Sequence, residues 1–181
     1  LFYATAAAAV VADQVTKFVM LAWLTQQPER RAHVIGGLFD LYLQFNTGGA
    51  FSLFHDRPLI ILVFALVAVA WMIWYVHRLP GAARLVQLSF GLIVGGAIGN
   101  LIDRFRLGCV IDFFHVYWRD WYWPTFNVAD SAICVGVALY VIVALLGRET
   151  PAAPSAAQMQ RGESPPAEDT SVQEPPAEPR S

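Results

Sequence analysis

Four stretches of this 181-residue chain are apolar almost without interruption: about Phe2–Leu24, Pro58–Val76, Leu85–Ile102 and Asn127–Leu146. Each comes close to the roughly 20 residues a helix needs to cross a bilayer. A helix also pairs its backbone groups internally, where no water can do so. The pattern predicts a membrane all-α protein of four transmembrane helices, with no internal repeat. Between the first two spans, within Ala32–Phe54, the period changes. Phe39, Leu41, Leu43 and Phe45 alternate with Asp40, Tyr42 and Gln44, the mark of a half-buried strand. Asn46-Thr47-Gly48-Gly49 then reads as a turn whose glycines admit positive φ. Arg106–Val116 reads as a second strand, because Val110, Ile111, Phe113, Phe114 and Val116 favour extended backbone. The two predict a small β-sheet on the bilayer surface. His77–Arg84, with Pro80-Gly81, is a short turn. Tyr117, Trp118, Trp121, Tyr122 and Trp123 cluster before the fourth span, as rings at headgroup level do.

Composition supports the membrane reading. Hydrophobic residues make up 56% and charged residues 14%, against about 25% charged in soluble domains. A net charge of −2 gives no electrostatic reason to expect nucleic acid. Of two cysteines, Cys109 and Cys134, the second lies in an apolar run, which argues against a disulfide framework. His33, His55, His77 and His115 are scattered, and no metal site is expected from them. From Pro151 onward Pro, Ala, Glu, Ser and Gln dominate, so the chain divides into a membrane domain, 1–148, and a disordered tail, 149–181. The sequence starts at Leu1 without Met or a basic leader, as a piece of a longer chain would. Leu1–Leu24 is too long and too apolar for a signal-peptide core. Arginines lie in all three loops, so counting them leaves the orientation open.

Charges inside spans cost at least about 2.5–3.5 kcal/mol each and usually mark function. Asp13 and Lys17 stand at i, i+4 in the first span, where they can pair; Lys17 is the only lysine. A structural ion pair or a snorkelling lysine explains them as well as function does. Gly95, Gly96 and Gly99 have the spacing that lets helices approach. Asn100 and Arg104 share a helix face that suits a polar pocket, with Asp103 placed to brace the arginine; contact between Arg104 and lipid phosphate is the other reading. Asp112 sits in the second strand, among apolar neighbours. Asp130 falls in the first turn of the fourth span, after the N-cap candidate Asn127. Singly, Asp130 reads equally as a helix-terminus charge and Asp112 as a surface acid. Topology puts both at one membrane face. Two close carboxyls share a proton, so one can take a proton from water while the other polarises a peptide carbonyl. That is aspartic proteolysis, which needs no cofactor.

With these residues in view, the chain resembles the bacterial lipoprotein signal peptidases, the type II signal peptidases. The resemblance spans about Asp13–Ile133 and rests on five motifs in order. They are Asp13-Gln14-Val15-Thr16-Lys17, Phe45-Asn46-Thr47-Gly48-Gly49-Ala50-Phe51, Gly95-Gly96-Ala97-Ile98-Gly99-Asn100-Leu101-Ile102-Asp103-Arg104, Val110-Ile111-Asp112-Phe113 and Phe126-Asn127-Val128-Ala129-Asp130-Ser131. The resemblance implies an aspartic endopeptidase that cleaves prolipoproteins on the amino side of the diacylglyceryl-modified cysteine. It makes Asp112 and Asp130 catalytic, places Asn46, Asn100, Arg104 and Asn127 in the substrate pocket, and gives Asp13, Lys17, Gly48 and Asp103 supporting roles. It further implies a multi-pass protein of the bacterial inner membrane. Both termini would be cytoplasmic, and the active site would lie near the extracytoplasmic face beside a surface β-cradle. Membrane lipids and a globomycin-type inhibitor are its expected partners, and a monomer its expected state. Gly49 departs from the alanine common in the family and loosens that loop.

The main alternative is a small proton- or ion-coupled carrier using Asp13, Lys17, Asp112 and Asp130. Carriers usually hold their sites at the midplane of repeated halves, whereas here the acids lie at helix ends. A scaffold without chemistry leaves the ordered motifs unexplained.

Overall fold

The computed structural model describes residues 1–47, 58–78 and 84–146. These belong to the unit Leu1–Pro151; the other unit, Ala152–Ser181, lies outside the described residues. So do Gly48, Gly49, Pro80-Gly81 and the expected disordered tail.

The described residues include four helices, α1 (Phe2–Leu24), α2 (Pro58–Arg78), α3 (Arg84–Leu107) and α4 (Val128–Leu145). Three of them, α1, α3 and α4, are long and apolar enough to cross a membrane, and Val63–Arg78 within α2 is a shorter apolar helix. Their outer faces stay apolar: Phe18, Phe64 and Leu145 are 73%, 70% and 81% exposed. A helix that is hydrophobic all round belongs in lipid or in a large core. The helices pack through α3, whose Val86, Phe90, Val94 and Leu101 form a core with Phe2, Val69 and Val143. Small residues permit the close approach. A Cβ on Gly99 would lie 2.5 Å from Asp13 Oδ2, and one on Gly96 would meet the carbonyl of Ala129.

Strands β1 (Arg31–Ile35), β2 (Phe39–Asn46), β3 (Val110–Trp118) and β4 (Trp121–Tyr122) form one antiparallel sheet in the order β1-β2-β3-β4. Its underside meets the end of α1 in a second core of Leu24, Leu43, Ile111 and Phe113. Burying Phe113 and Leu24 almost completely contributes about 1.5–3 kcal/mol each.

The sequence-based expectations need three corrections here. The second strand begins at Val110, not Arg106, because α3 continues to Leu107 and stops at Gly108 with φ +72°. The Gly108 N–H returns to the Arg104 carbonyl at 3.1 Å, the left-handed cap that glycine favours. The alternation of β2 does not map onto an inner and an outer face. Its register against β3 shifts between Leu41 and Gln44, and such a bulge re-aims side chains. Asp40 is buried, taking His33 Nδ1 at 2.9 Å and Tyr117 Oη at 3.2 Å, while Phe45 is exposed. Strands β1 and β4 were not anticipated, being short and supported mainly by their neighbours.

Candidate active site

Sheet and helix bundle meet where β3 and α4 begin. Asp112 stands on β3, buried to 1% exposure. Gln44 faces it across the ladder, and Asn46 lies two residues further along β2. Asn46 Nδ2 donates to Asp112 Oδ2 at 3.0 Å. On the other side Asn127 Nδ2 donates to Asp112 Oδ1 at 2.7 Å, to Asn100 Oδ1 at 3.1 Å and to the Ile111 carbonyl at 3.2 Å.

Asn127 is also the N-cap of α4. Its Oδ1 accepts the Asp130 N–H at 2.9 Å, and Asp130 Oδ2 accepts the Asn127 N–H at 3.2 Å. This reciprocal pair is a capping box, so Asp130 does act as a helix-terminus charge. Its other oxygen, Oδ1, accepts Asn100 Nδ2 at 2.8 Å. Capping and chemistry therefore do not compete: one oxygen is held by the cap and the other by α3. Asp112 and Asp130 are each bonded to Asn127, close enough for the charge of Asp130 to act on Asp112.

Burial pushes the Asp112 carboxyl up to about 7. The Asn46 hydrogen bond opposes that rise, the Asp130 charge adds to it, and Asn127 and Lys17 act against it. A carboxyl that keeps its proton to near neutrality beside a second carboxyl suits a pair with one proton between them.

The other expected residues gather below. Lys17, 2% exposed, lies 2.9 Å from Asp13 Oδ2 and 2.9 Å from Asp103 Oδ2, and donates to Asn100 Oδ1 at 2.9 Å. Asp103 accepts these contacts instead of bracing Arg104, because it lies one turn beyond Gly99 on the side of α3 that faces α1. Arg104 is half-buried; its Nη1 donates to the Asn100 carbonyl at 3.4 Å, and its guanidinium feels the charges of Asp130, Asp112 and Asp103. Gly48 lies outside the described residues. Gln14, not singled out by the sequence, donates from Nε2 to Asp13 Oδ2, the Gly99 carbonyl and Asp103 Oδ1 at 3.1, 3.2 and 3.0 Å. Its sequence signal was a polar side chain between Asp13 and Lys17 in an apolar span.

Comparison with known proteins points to one family. The family model described as Signal peptidase (SPase) II matches residues 5–146. A lipoprotein signal peptidase of Geobacter metallireducens is 45% identical over 146 residues, covering 78% of this chain and 88% of that protein. One of Symbiobacterium thermophilum is 40% identical over 131 residues, covering 72% and 85%. A solved structure described as a bacterial membrane enzyme, determined in meso at 2.3 Å resolution, superposes with a TM-score of 0.71 at 25% identity, covering 82% of this chain and 92% of that one.

Proposed function

The chain belongs to the signal peptidase II family, and we propose that Asp112 and Asp130 are the carboxyl pair with which it cuts prolipoproteins. The family activity is aspartic endopeptidase cleavage on the amino side of the diacylglyceryl-modified cysteine. The carrier alternative is not favoured. The observation that carries the site assignment is one shared residue: Asn127 donates to the Asp112 carboxyl from its side chain and to the Asp130 carboxyl from its backbone N–H, and Asn100 holds the other oxygen of Asp130.

The reaction follows from one proton on two acids. The ionised carboxyl takes a proton from water as the water oxygen attacks the scissile carbonyl carbon. The protonated carboxyl donates its proton to the carbonyl oxygen. The tetrahedral diol then collapses: a proton passes to the cysteine nitrogen, the C–N bond breaks, and the signal peptide leaves with a new carboxyl group. Asn46, Asn100, Arg104 and Asn127 line the place where the peptide lies. Asn46 and Asn127 fix the two oxygens of Asp112, and Arg104 supplies positive charge for the substrate's carbonyl oxygens or a lipid phosphate. Asp13, Lys17, Gly48 and Asp103 support the pocket.

The same reading makes α2 a membrane span alongside α1, α3 and α4, and lays the sheet on the outer face of the bacterial inner membrane. Trp118, Trp121, Tyr122 and Trp123, all exposed, then rest at headgroup level. Both termini are cytoplasmic, the enzyme works as a monomer among membrane lipids, and a globomycin-type inhibitor competes for the pocket. By composition, residues 149–181 are a Pro/Ala/Glu-rich tail. Signal-peptide release from a lipid-modified prolipoprotein, followed for wild type and for Asp112 and Asp130 variants, tests the assignment.

A further inference from the structure

Two buried acids outside the proposed pair are wired to it in the same way. Asp103 Oδ2 accepts the N–H of Ile111 at 3.1 Å, the residue before Asp112. Asp13 Oδ1 accepts the N–H of Ala129 at 2.9 Å, the residue before Asp130. Each acid thus holds the backbone one residue ahead of a catalytic aspartate. The two are tied to each other by Lys17 Nζ, 2.9 Å from an oxygen of each, and by Gln14 Nε2, 3.1 Å from Asp13 Oδ2 and 3.0 Å from Asp103 Oδ1. Gln14 reaches the Gly99 carbonyl as well, which fixes the cross-link to α3.

We infer that Asp13, Gln14, Lys17 and Asp103 form a buried clamp that sets the spacing between Asp112 and Asp130, with Gln14 a positioning residue of the cleavage reaction. The inference rests on the assignment of Asp112 and Asp130 as the catalytic pair. Stability alone does not account for such a cluster. Desolvating buried ions costs several kcal/mol apiece, and well-packed apolar side chains often replace them without loss. An apolar replacement, however, has no acceptor for the Ile111 and Ala129 N–H groups. It would release both catalytic segments at once. The charged groups around the clamp are Asp13 and Lys17 from α1, Asp103 and Arg104 from α3, Asp112 from β3 and Asp130 from α4. Gln14 therefore adds donors at the centre without adding charge.

The test is Gln14→Met, which keeps the length and removes the donors, in full-length enzyme reconstituted with a lipid-modified prolipoprotein. The expected result is a kcat about ten- to a hundredfold lower, with KM unchanged within about twofold. The plot of kcat against pH should also narrow, because two acids that drift apart share their proton less strongly and their apparent pKa values converge. A folded Gln14→Met enzyme with wild-type kcat and profile overturns the clamp. So does a loss of kcat that only tracks the folded fraction, with an unchanged profile. If Gln14→Met fails to fold, Asp103→Asn keeps an oxygen for the Ile111 N–H, loses the charge facing Lys17, and is read for the same narrowing. Asp112→Asn and Asp130→Asn, run alongside, separate the two readings. Activity in either one fails the catalytic pair, whereas loss in both with an unaltered Gln14→Met enzyme fails the clamp alone.

Discussion

The amide of Asn127 donates to Asp112 Oδ1 at 2.7 Å, so the residue that starts α4 also orients a carboxyl on β3. Folding of the helix end and assembly of the site are therefore one event, and substitution of Asn127 disturbs both. Asn127→Asp keeps an oxygen to cap α4 but loses the donor and adds a third acid. Asn127→Ala loses both. The expected outcome is that Asn127→Ala lowers stability by about 0.5–2 kcal/mol, the usual worth of an N-cap. Asn127→Asp should lower it further, because its buried carboxyl faces Asp112 Oδ1, Asn100 Oδ1 and the Ile111 carbonyl with no donor between them, and both should cleave at least about a hundredfold more slowly. Thermal unfolding in detergent and signal-peptide release measure the two losses.

The pH dependence has a definite sign. Burial raises Asp112 to about 7 from 3.8, so the native fold holds that proton more tightly than the unfolded chain does. Its contribution to stability is complete below about 3.8 and is lost as pH rises through about 7. Cleavage needs one proton on the pair, and its alkaline limb should therefore fall near neutrality. Because the Asn46 hydrogen bond opposes the upward shift of Asp112, Asn46→Ala should move that limb to higher pH. A rate profile measured from pH 4 to 10 for both enzymes checks it; a limb moving downward contradicts the role given to Asn46.

Close helix packing makes Gly99 intolerant of a side chain. Its Cβ would lie 2.5 Å from the Asp13 carboxylate, and overpacking of this kind costs about 1–3 kcal/mol. Gly99→Ala should lower the unfolding temperature and the cleavage rate together. Gly36→Ala, with nothing within 4 Å of the added carbon, should leave the unfolding temperature within about a degree or two, as surface substitutions usually do. Differential scanning fluorimetry of the two variants makes the comparison.

Helices α1 and α4 were legible almost residue for residue, because apolar length is a strong signal and Asn127 ends the pattern sharply. The end of α3 was not, since Asp103–Arg106 looks like a loop by polarity but continues the helix until Gly108 turns left-handed. Asp112 and Asp130 stood out as acids next to apolar runs. Their link through Asn127 could not be read, because β3 and the α4 cap meet only in space. Alternation alone would turn Asp40 away from the apolar face; the bulge in β2 that accompanies its burial depends on pairing with β3. Gln14 was hidden by its neutrality: charge drew attention to Asp13 and Lys17, while the residue that bridges Asp13 to Asp103 carries none.

The most direct measurement is release of the signal peptide from a diacylglyceryl-modified prolipoprotein by reconstituted wild type, Asp112→Asn and Asp130→Asn. Folding of each is verified by its thermal transition. The paired-carboxyl account predicts that both variants fold and that neither cleaves. Wild-type cleavage by either folded variant would contradict it.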